Sequence, residues 1–93
     1  MTTSQELRIL VIREAEMLVA QCLEYDICTQ AKDLNELKER MDVLIDLECE
    51  ESTERSGKPF GDIDPAPQYF HDMWDAAIAF ERGERPYDMA MAA

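Results

Sequence analysis

The sequence predicts a small α+β domain: a three-stranded antiparallel meander, then a long helix, a second shorter helix and a final edge strand. Apolar and polar residues alternate in short segments over the first third of the chain, as strands require. From Asp33 onward the apolar spacing changes to three and four residues. A segment rich in glycine and proline, 57–67, separates two helical patterns. At 93 residues the chain suffices for a single domain, 1–93.

The predicted meander has three strands. Residues 7–13 are rich in branched side chains and too short for an isolated helix, so they form the first strand. Residues 13–16 reverse the chain, and 17–23 alternate as the second strand. A turn at 24–25 leads to the third strand, 26–31, which again alternates polar and apolar side chains.

The first helix is predicted to begin at Asp33, where Asp33 and Glu36 have the spacing of a capping box. We expect it to run to about Glu51 or Arg55, because Gly57 does not readily prolong a helix. One apolar stripe would lie across the meander and consists of Leu34, Leu37, Met41, Leu44, Ile45 and Leu47.

A second helix is predicted from Pro65 or Pro67 to Arg82, with Gly83 as its C-terminal stop. Large apolar residues fall on one side of this helix: Tyr69, Phe70, Met73, Trp74, Ala77 and Phe80. The tail, 85–91, alternates Tyr87, Met89 and Met91, which indicates a final edge strand.

Two adjacent motifs span the meander and the helix after it: "LVAQCLEYDICTQA" leads at once into "KDLNELKERMDVLIDLECEE". The matching positions are Val19, Ala20, Cys22, Glu24, Thr29, Gln30, Leu34 and Glu36. With them the chain resembles the HicB-like antitoxin family over 7–51. Ala31 and Lys32 depart from the pattern, because they stand where the family often has a glycine.

This resemblance implies a partial, degraded ribonuclease H-like architecture that binds and neutralises a small basic RNA-cleaving toxin of the HicA-like kind. It also implies self-association, so a homodimer or larger assembly is expected. Longer members add a helix-turn-helix or ribbon-helix-helix for operator DNA. We expect no such unit here, because only eleven residues follow Arg82.

Charge indicates the kind of partner. The formal net charge of −12 argues against direct binding of nucleic acid, which is held mainly by lysine and arginine on phosphates. A basic protein is the better electrostatic match. The candidate partner-binding residues are the acidic positions Glu39, Asp42, Asp46 and Glu50 and the aromatic positions Tyr69 and Trp74. An alternative function is an orphan or phage-borne acidic inhibitor that imitates nucleic-acid charge against a DNA- or RNA-binding protein.

Catalytic and metal chemistry find little support in the sequence. His71 and Asp75 have helical i, i+4 spacing but make an incomplete metal site. Asp62 and Asp64 could serve acid–base or Mg²⁺ chemistry, but loop solubility and helix capping explain them more simply. We therefore expect no enzyme activity, no catalytic residues, no metal and no cofactor.

The cysteines and the N-terminal segment suggest a reducing compartment. Cys22, Cys28 and Cys49 form neither a CxxC pair nor a cluster with histidine, so they are expected to be reduced and mostly buried. A connection of odd length around Tyr25 would place Cys22 opposite Cys28 and leave a redox pair open. The N-terminus predicts no signal peptide and no apolar run predicts a membrane span, so a cytoplasmic location is expected.

Overall fold

Five strands form one mixed sheet in the computed structural model, which describes residues 7–82 and 87–92. The elements, in chain order, are β1 (Leu7–Glu14), β2 (Met17–Cys22), β3 (Cys28–Ala31), α1 (Leu34–Ser56), α2 (Gln68–Asp75), β4 (Ile78–Arg82) and β5 (Tyr87–Met91). The order across the sheet is β3-β2-β1-β5-β4. Only the β1–β5 pair is parallel among these neighbours. The α+β class predicted from the sequence is therefore confirmed.

The meander is confirmed, with a shorter third strand than predicted. β1, β2 and β3 pair antiparallel in succession. β3 begins at Cys28 rather than Asp26, because the preceding residues make other hydrogen bonds. The Asp26 N–H donates to the Asp64 carbonyl (2.7 Å) and the Ile27 N–H to the Tyr25 carbonyl (2.7 Å). Part of the later loop is thereby held beside the β2–β3 turn.

The β1–β2 connection contains a backbone conformation that alanine rarely adopts. Glu14 pairs with Met17, so Ala15 and Glu16 alone make the turn. Ala15 has a φ of 53°, in the left-handed region that glycine enters without steric cost.

We expect Ala15→Gly to raise the free energy of unfolding by about 0.5–1 kcal/mol. Glycine removes the steric penalty of the left-handed conformation, and this gain exceeds the entropy cost of folding a more flexible unfolded chain. Urea denaturation would measure the change. Ala15→Val is the matched control and is expected to lower stability, because a β-branched side chain tolerates positive φ even less. A glycine variant no more stable than the parent would contradict the strain at Ala15.

Both ends of α1 are fixed by the signals seen in the sequence. The Glu36 N–H donates to the Asp33 carboxylate (2.8 Å), as predicted for an N-cap. The Glu36 carboxylate pairs with Arg40 (3.0 Å), one turn further along the helix. At the other end, Gly57 has a φ of 84° and its N–H donates to the Thr53 carbonyl (2.8 Å).

The core lies between α1 and the face of the sheet that carries Ile9. Leu37 and Met41 are fully buried, and Ile45 is nearly so. The sheet and loops contribute Leu7, Ile9, Val11, Leu18, Ala20, Cys22, Ile27, Ala31, Phe60 and Met89. Leu47 was predicted in the same stripe, which is wrong: it is 46% exposed, because it points well away from the Met41 side.

The second helix is shorter than predicted. α2 ends at Asp75 rather than Arg82, and Ile78–Arg82 is strand β4. The Ala77 N–H donates to the Trp74 carbonyl (3.0 Å), a bond across three residues that closes the last turn. The following segment pairs antiparallel with β5, so its backbone groups find partners in the sheet. Phe80 therefore belongs to a strand, and the predicted stop at Gly83 lies outside the described residues.

The final strand exists but is not an edge. β5 lies between β1 and β4, and pairs in parallel with β1. Met89 and Ala90 are each only 2% exposed. The ends of the sheet are β3 and β4, so the edge position predicted for residues 87–91 is wrong.

Candidate protein-binding surface

The acidic side of α1 is the most strongly charged surface that the sequence predicted. Glu39, Asp46 and Glu50 are exposed. At 100° per residue they fall within a sector of about 40°, opposite Met41. Asp42 lies nearer the flank of the helix and is half-buried. The helix therefore presents three of the four predicted carboxylates together.

The cations near this surface are engaged in ion pairs where the structure describes their contacts. Arg40 pairs with Glu36 (3.0 Å). Arg55 contacts Asp62 (2.6 Å) and lies 3.9 Å from both Glu48 and Glu51. The carboxylates of α1 are Glu36, Glu39, Asp42, Asp46, Glu48, Glu50, Glu51 and Glu54. They outnumber its cations Lys38, Arg40 and Arg55, so the helix surface is strongly negative.

Asp62 and Asp64 both make contacts within the fold, Asp62 through its carboxylate and Asp64 through its backbone carbonyl. The Arg55 guanidinium donates to both carboxylate oxygens of Asp62 (2.6 and 3.2 Å). This hydrogen bonding lowers the pKa of Asp62, so its carboxylate stays ionised, whereas a general acid needs a raised pKa. Asp64 is exposed, and its backbone carbonyl accepts from Asp26.

Metal-binding side chains do not gather in the described part of the chain. No group of three or more histidine, cysteine or acidic residues could hold an ion there. His71 is half-buried and Asp75 exposed on α2, one turn apart.

The two aromatic residues predicted to bind a partner, Tyr69 and Trp74, have different environments. Tyr69 is 54% exposed, and its ring packs at a tilt on Phe70, with centroids 4.1 Å apart. Trp74 is half-buried, and the Arg8 guanidinium lies 5.9 Å from its ring centroid. Because Arg8 is in β1 and Trp74 in α2, this contact ties α2 to β1. Arg8 also pairs with Glu24 (2.5 Å).

The aromatic and acidic candidates are not brought together. In β1 the side chains of Leu7 and Ile9 belong to the core beneath α1, and Arg8 alternates with them. Trp74, against Arg8, therefore lies on the face of the sheet away from α1. A compact partner would contact either the acidic helix or α2.

A buried serine and a strained phenylalanine position the loop after α1, and the sequence did not single them out. Ser52 is fully buried; its hydroxyl accepts from the Phe60 N–H (2.6 Å) and donates to the Cys49 carbonyl (3.2 Å). Phe60 has a φ of 60° and stacks on Tyr25, with centroids 4.4 Å apart. The available signal was the spacing of Ser52, seven residues after Ile45 on the apolar side of the helix.

An apolar groove beside the acidic residues is the other feature that sequence reasoning missed. Val43 is 67% exposed and Leu47 46%. Together with Thr29, Glu39, Arg40 and Leu44, they line an open groove of about 400 Å³ where α1 meets β3. Val43 could have been noticed, because it is a β-branched residue on the charged side of a predicted helix.

Cys22 and Cys28 are not placed to form a disulfide. Cys28 pairs in register with Gln21, and the Cys22 N–H donates to the Ile27 carbonyl (2.9 Å). Neighbouring residues of a strand point to opposite faces, so the two thiols are on different sides of the sheet. Burial raises the pKa of Cys22 to about 11, which keeps this thiol protonated at neutral pH. Cys28 is exposed, contrary to the expectation of mostly buried thiols.

Comparison with known proteins gives no indication of function. No family model, curated protein or solved structure matches the chain. In the described ranges, no helix combines the length and apolar character needed to cross a membrane. What the chain binds must therefore be inferred from its charges, its exposed apolar side chains and the elements that hold them.

Proposed function

We propose that the chain is a non-catalytic acidic protein-binding module of HicB-antitoxin type. It neutralises a small basic RNA-cleaving toxin by covering the toxin's RNA-binding surface. The observation that carries the proposal is the acidic side of α1, with Glu39, Asp46 and Glu50 exposed on a helix whose opposite side buries Leu37 and Met41.

Masking follows from electrostatics and geometry. A protein that binds RNA holds the phosphates with lysine and arginine, and carboxylates on a fixed helix can occupy the same cations. The net charge of −12 attracts such a protein before contact and raises the association rate. Because buried residues fix α1 on the sheet, little ordering is needed when the partner binds.

The layout of the first half of the chain supports the family likeness. An antiparallel meander followed directly by a capped helix across it fits the arrangement that the HicB-like resemblance implies. A cytoplasmic location stays a prediction, and an RNA-cleaving partner would be consistent with it. A homodimer or larger assembly stays a prediction; a second copy could pair with β4, the end strand of the sheet away from α1.

The decisive experiment pairs the chain with the product of the neighbouring gene. If that gene encodes a small basic protein, both proteins are purified and cleavage of a labelled RNA is followed as the chain is added. We expect cleavage to stop near a one-to-one ratio. The triple variant Glu39→Gln, Asp46→Gln, Glu50→Gln should protect the RNA less well at physiological salt, because it lacks the charges that hold the toxin.

Two outcomes would overturn the proposal. One is unchanged RNA cleavage with no complex between the purified proteins. The other is a neighbouring gene that encodes no small basic protein, which would favour an acidic inhibitor of a different DNA- or RNA-binding protein.

A further inference from the structure

We infer that the groove between α1 and β3 receives an aliphatic side chain of the basic partner, inserted beside Val43 and Leu47 and flanked by lysine or arginine that contacts Glu39, Asp46 and Glu50. The inference rests on the proposed function and adds to it the place and the chemistry of the contact.

The position of α1 on the sheet creates the groove. Of the five strands, α1 packs mainly on β3 and β2, so the helix lies near one end of the sheet rather than over its middle. Val43 and Leu47 are one helical turn apart and project beyond the buried side of the helix. Single exposed apolar residues are ordinary, but Val43 and Leu47 adjoin and line one groove, so one inserted side chain can pack against both.

The groove and the carboxylates form one continuous surface. Val43 lies one turn from Glu39 and from Asp46, and Leu47 lies one turn from Glu50. Neighbours on a helix surface at this spacing are about 5–6 Å apart, so one short segment can reach both groups. Lysine and arginine suit this arrangement, because their stems cover apolar surface while their charged ends reach the carboxylates.

The contact is made by side chains rather than by adding a strand to β3. Arg40 donates to the outward carbonyl of Gln30 (2.8 Å) while it pairs with Glu36 (3.0 Å). A strand that joined the sheet here would have to displace this arginine. The occupant is therefore a segment that presents an apolar side chain to the groove.

A second copy of the chain is a poor occupant. It would bring its own Glu39, Asp46 and Glu50 close to the same carboxylates, and each copy has a net charge of −12. Like charges across an interface oppose association, whereas a basic segment is attracted to the same surface.

The test uses a synthetic 11-residue peptide with two leucines set among lysines and arginines. Two matched peptides accompany it, one with serine for leucine and one with glutamate for the cations. Titration into the ¹⁵N-labelled chain should shift amide signals at Thr29, Val43 and Leu47 for the leucine–lysine peptide. The double variant Val43→Ser, Leu47→Ser should bind it about 10-fold more weakly, because apolar area is no longer buried.

Ile78→Ser is the matched control, because Ile78 is 68% exposed on β4, at the other end of the sheet. This variant should bind as the parent does. Any of four results would overturn the inference. The parent chain could bind the serine peptide as tightly as the leucine peptide, show signal shifts only on other surfaces, or show no binding at millimolar peptide. The double variant could also bind the leucine peptide with unchanged affinity. A fall in assembly size by sedimentation in the double variant would overturn the inference as well, because it would assign the groove to self-association.

Failure of this inference is distinguishable from failure of the proposed function. If the double variant still protects RNA from the toxin while the Glu39, Asp46 and Glu50 glutamine variant does not, masking stands and the groove is not the anchor. If the parent chain itself gives no protection, the proposed function fails, whatever the peptide does.

Discussion

Replacing Leu37 by alanine is expected to lower the free energy of unfolding by about 2–5 kcal/mol, the usual cost of removing a buried leucine. Leu37 is 0% exposed and packs in the core that joins α1 to the sheet. A domain of this size has a total stability of about 5–15 kcal/mol, so the loss is a large part of it. Urea denaturation followed by circular dichroism would measure the difference.

Val43→Ala provides the matched control on the same helix. Val43 is 67% exposed, so its truncation should change the free energy of unfolding by no more than about 0.5 kcal/mol. Both substitutions shorten an aliphatic side chain within α1, and only burial separates them strongly. Similar losses from the two variants would mean that α1 does not pack on the sheet through the Leu37 side.

The parts of the fold that depend on local signals were predictable from the sequence. Asp33 and Gly57 set the limits of α1 through hydrogen bonds and φ angles that involve only nearby residues. The β1–β2–β3 meander also follows from short connections between neighbouring segments. In these regions the apolar period and the turn positions suffice to define the element.

The C-terminal half depends on contacts that a local pattern does not contain. Residues 78–82 continue the apolar spacing of a helix, yet they form β4 because β5 is there to pair with them. β5 in turn lies between β1 and β4, and its partner β1 is at the other end of the chain. Such pairing over long sequence separation decides between helix and strand for short apolar segments.

The candidate surface was predictable in its charge and not in its shape. Helical periodicity correctly placed Glu39, Asp46 and Glu50 on the exposed side of α1. The groove beside Val43 exists because α1 lies near the end strand β3, and a helical wheel does not contain the position of a helix on a sheet. The contact of Trp74 with Arg8 has the same origin, because it joins segments distant in sequence.

Reversing three charges on α1 is expected to slow association with the basic partner by 10-fold or more at low salt, within the range of about 10 to 10³ attributed to electrostatic steering. The variant is Glu39→Lys, Asp46→Lys, Glu50→Lys. These side chains are exposed, whereas Asp42 is half-buried and is left unchanged so that the fold is not disturbed. The salt dependence of the association rate should also become flatter, because screening has less attraction to remove.

A second triple variant separates the local surface from the overall charge. Glu14→Lys, Glu16→Lys, Asp75→Lys alters the net charge by the same amount at exposed positions outside α1. If the acidic side of the helix guides the partner, this control should associate faster than the α1 variant at low salt in stopped-flow mixing, and the difference should shrink as salt screens the charges. Tyr69→Ala, on α2, tests the aromatic hypothesis separately, because loss of a packed anchor acts mainly on the dissociation rate. Equal association rates for the two triple variants, both folded by circular dichroism, would assign the effect to net charge. The acidic side of α1 would then be a solubility feature, and the partner would have to bind elsewhere.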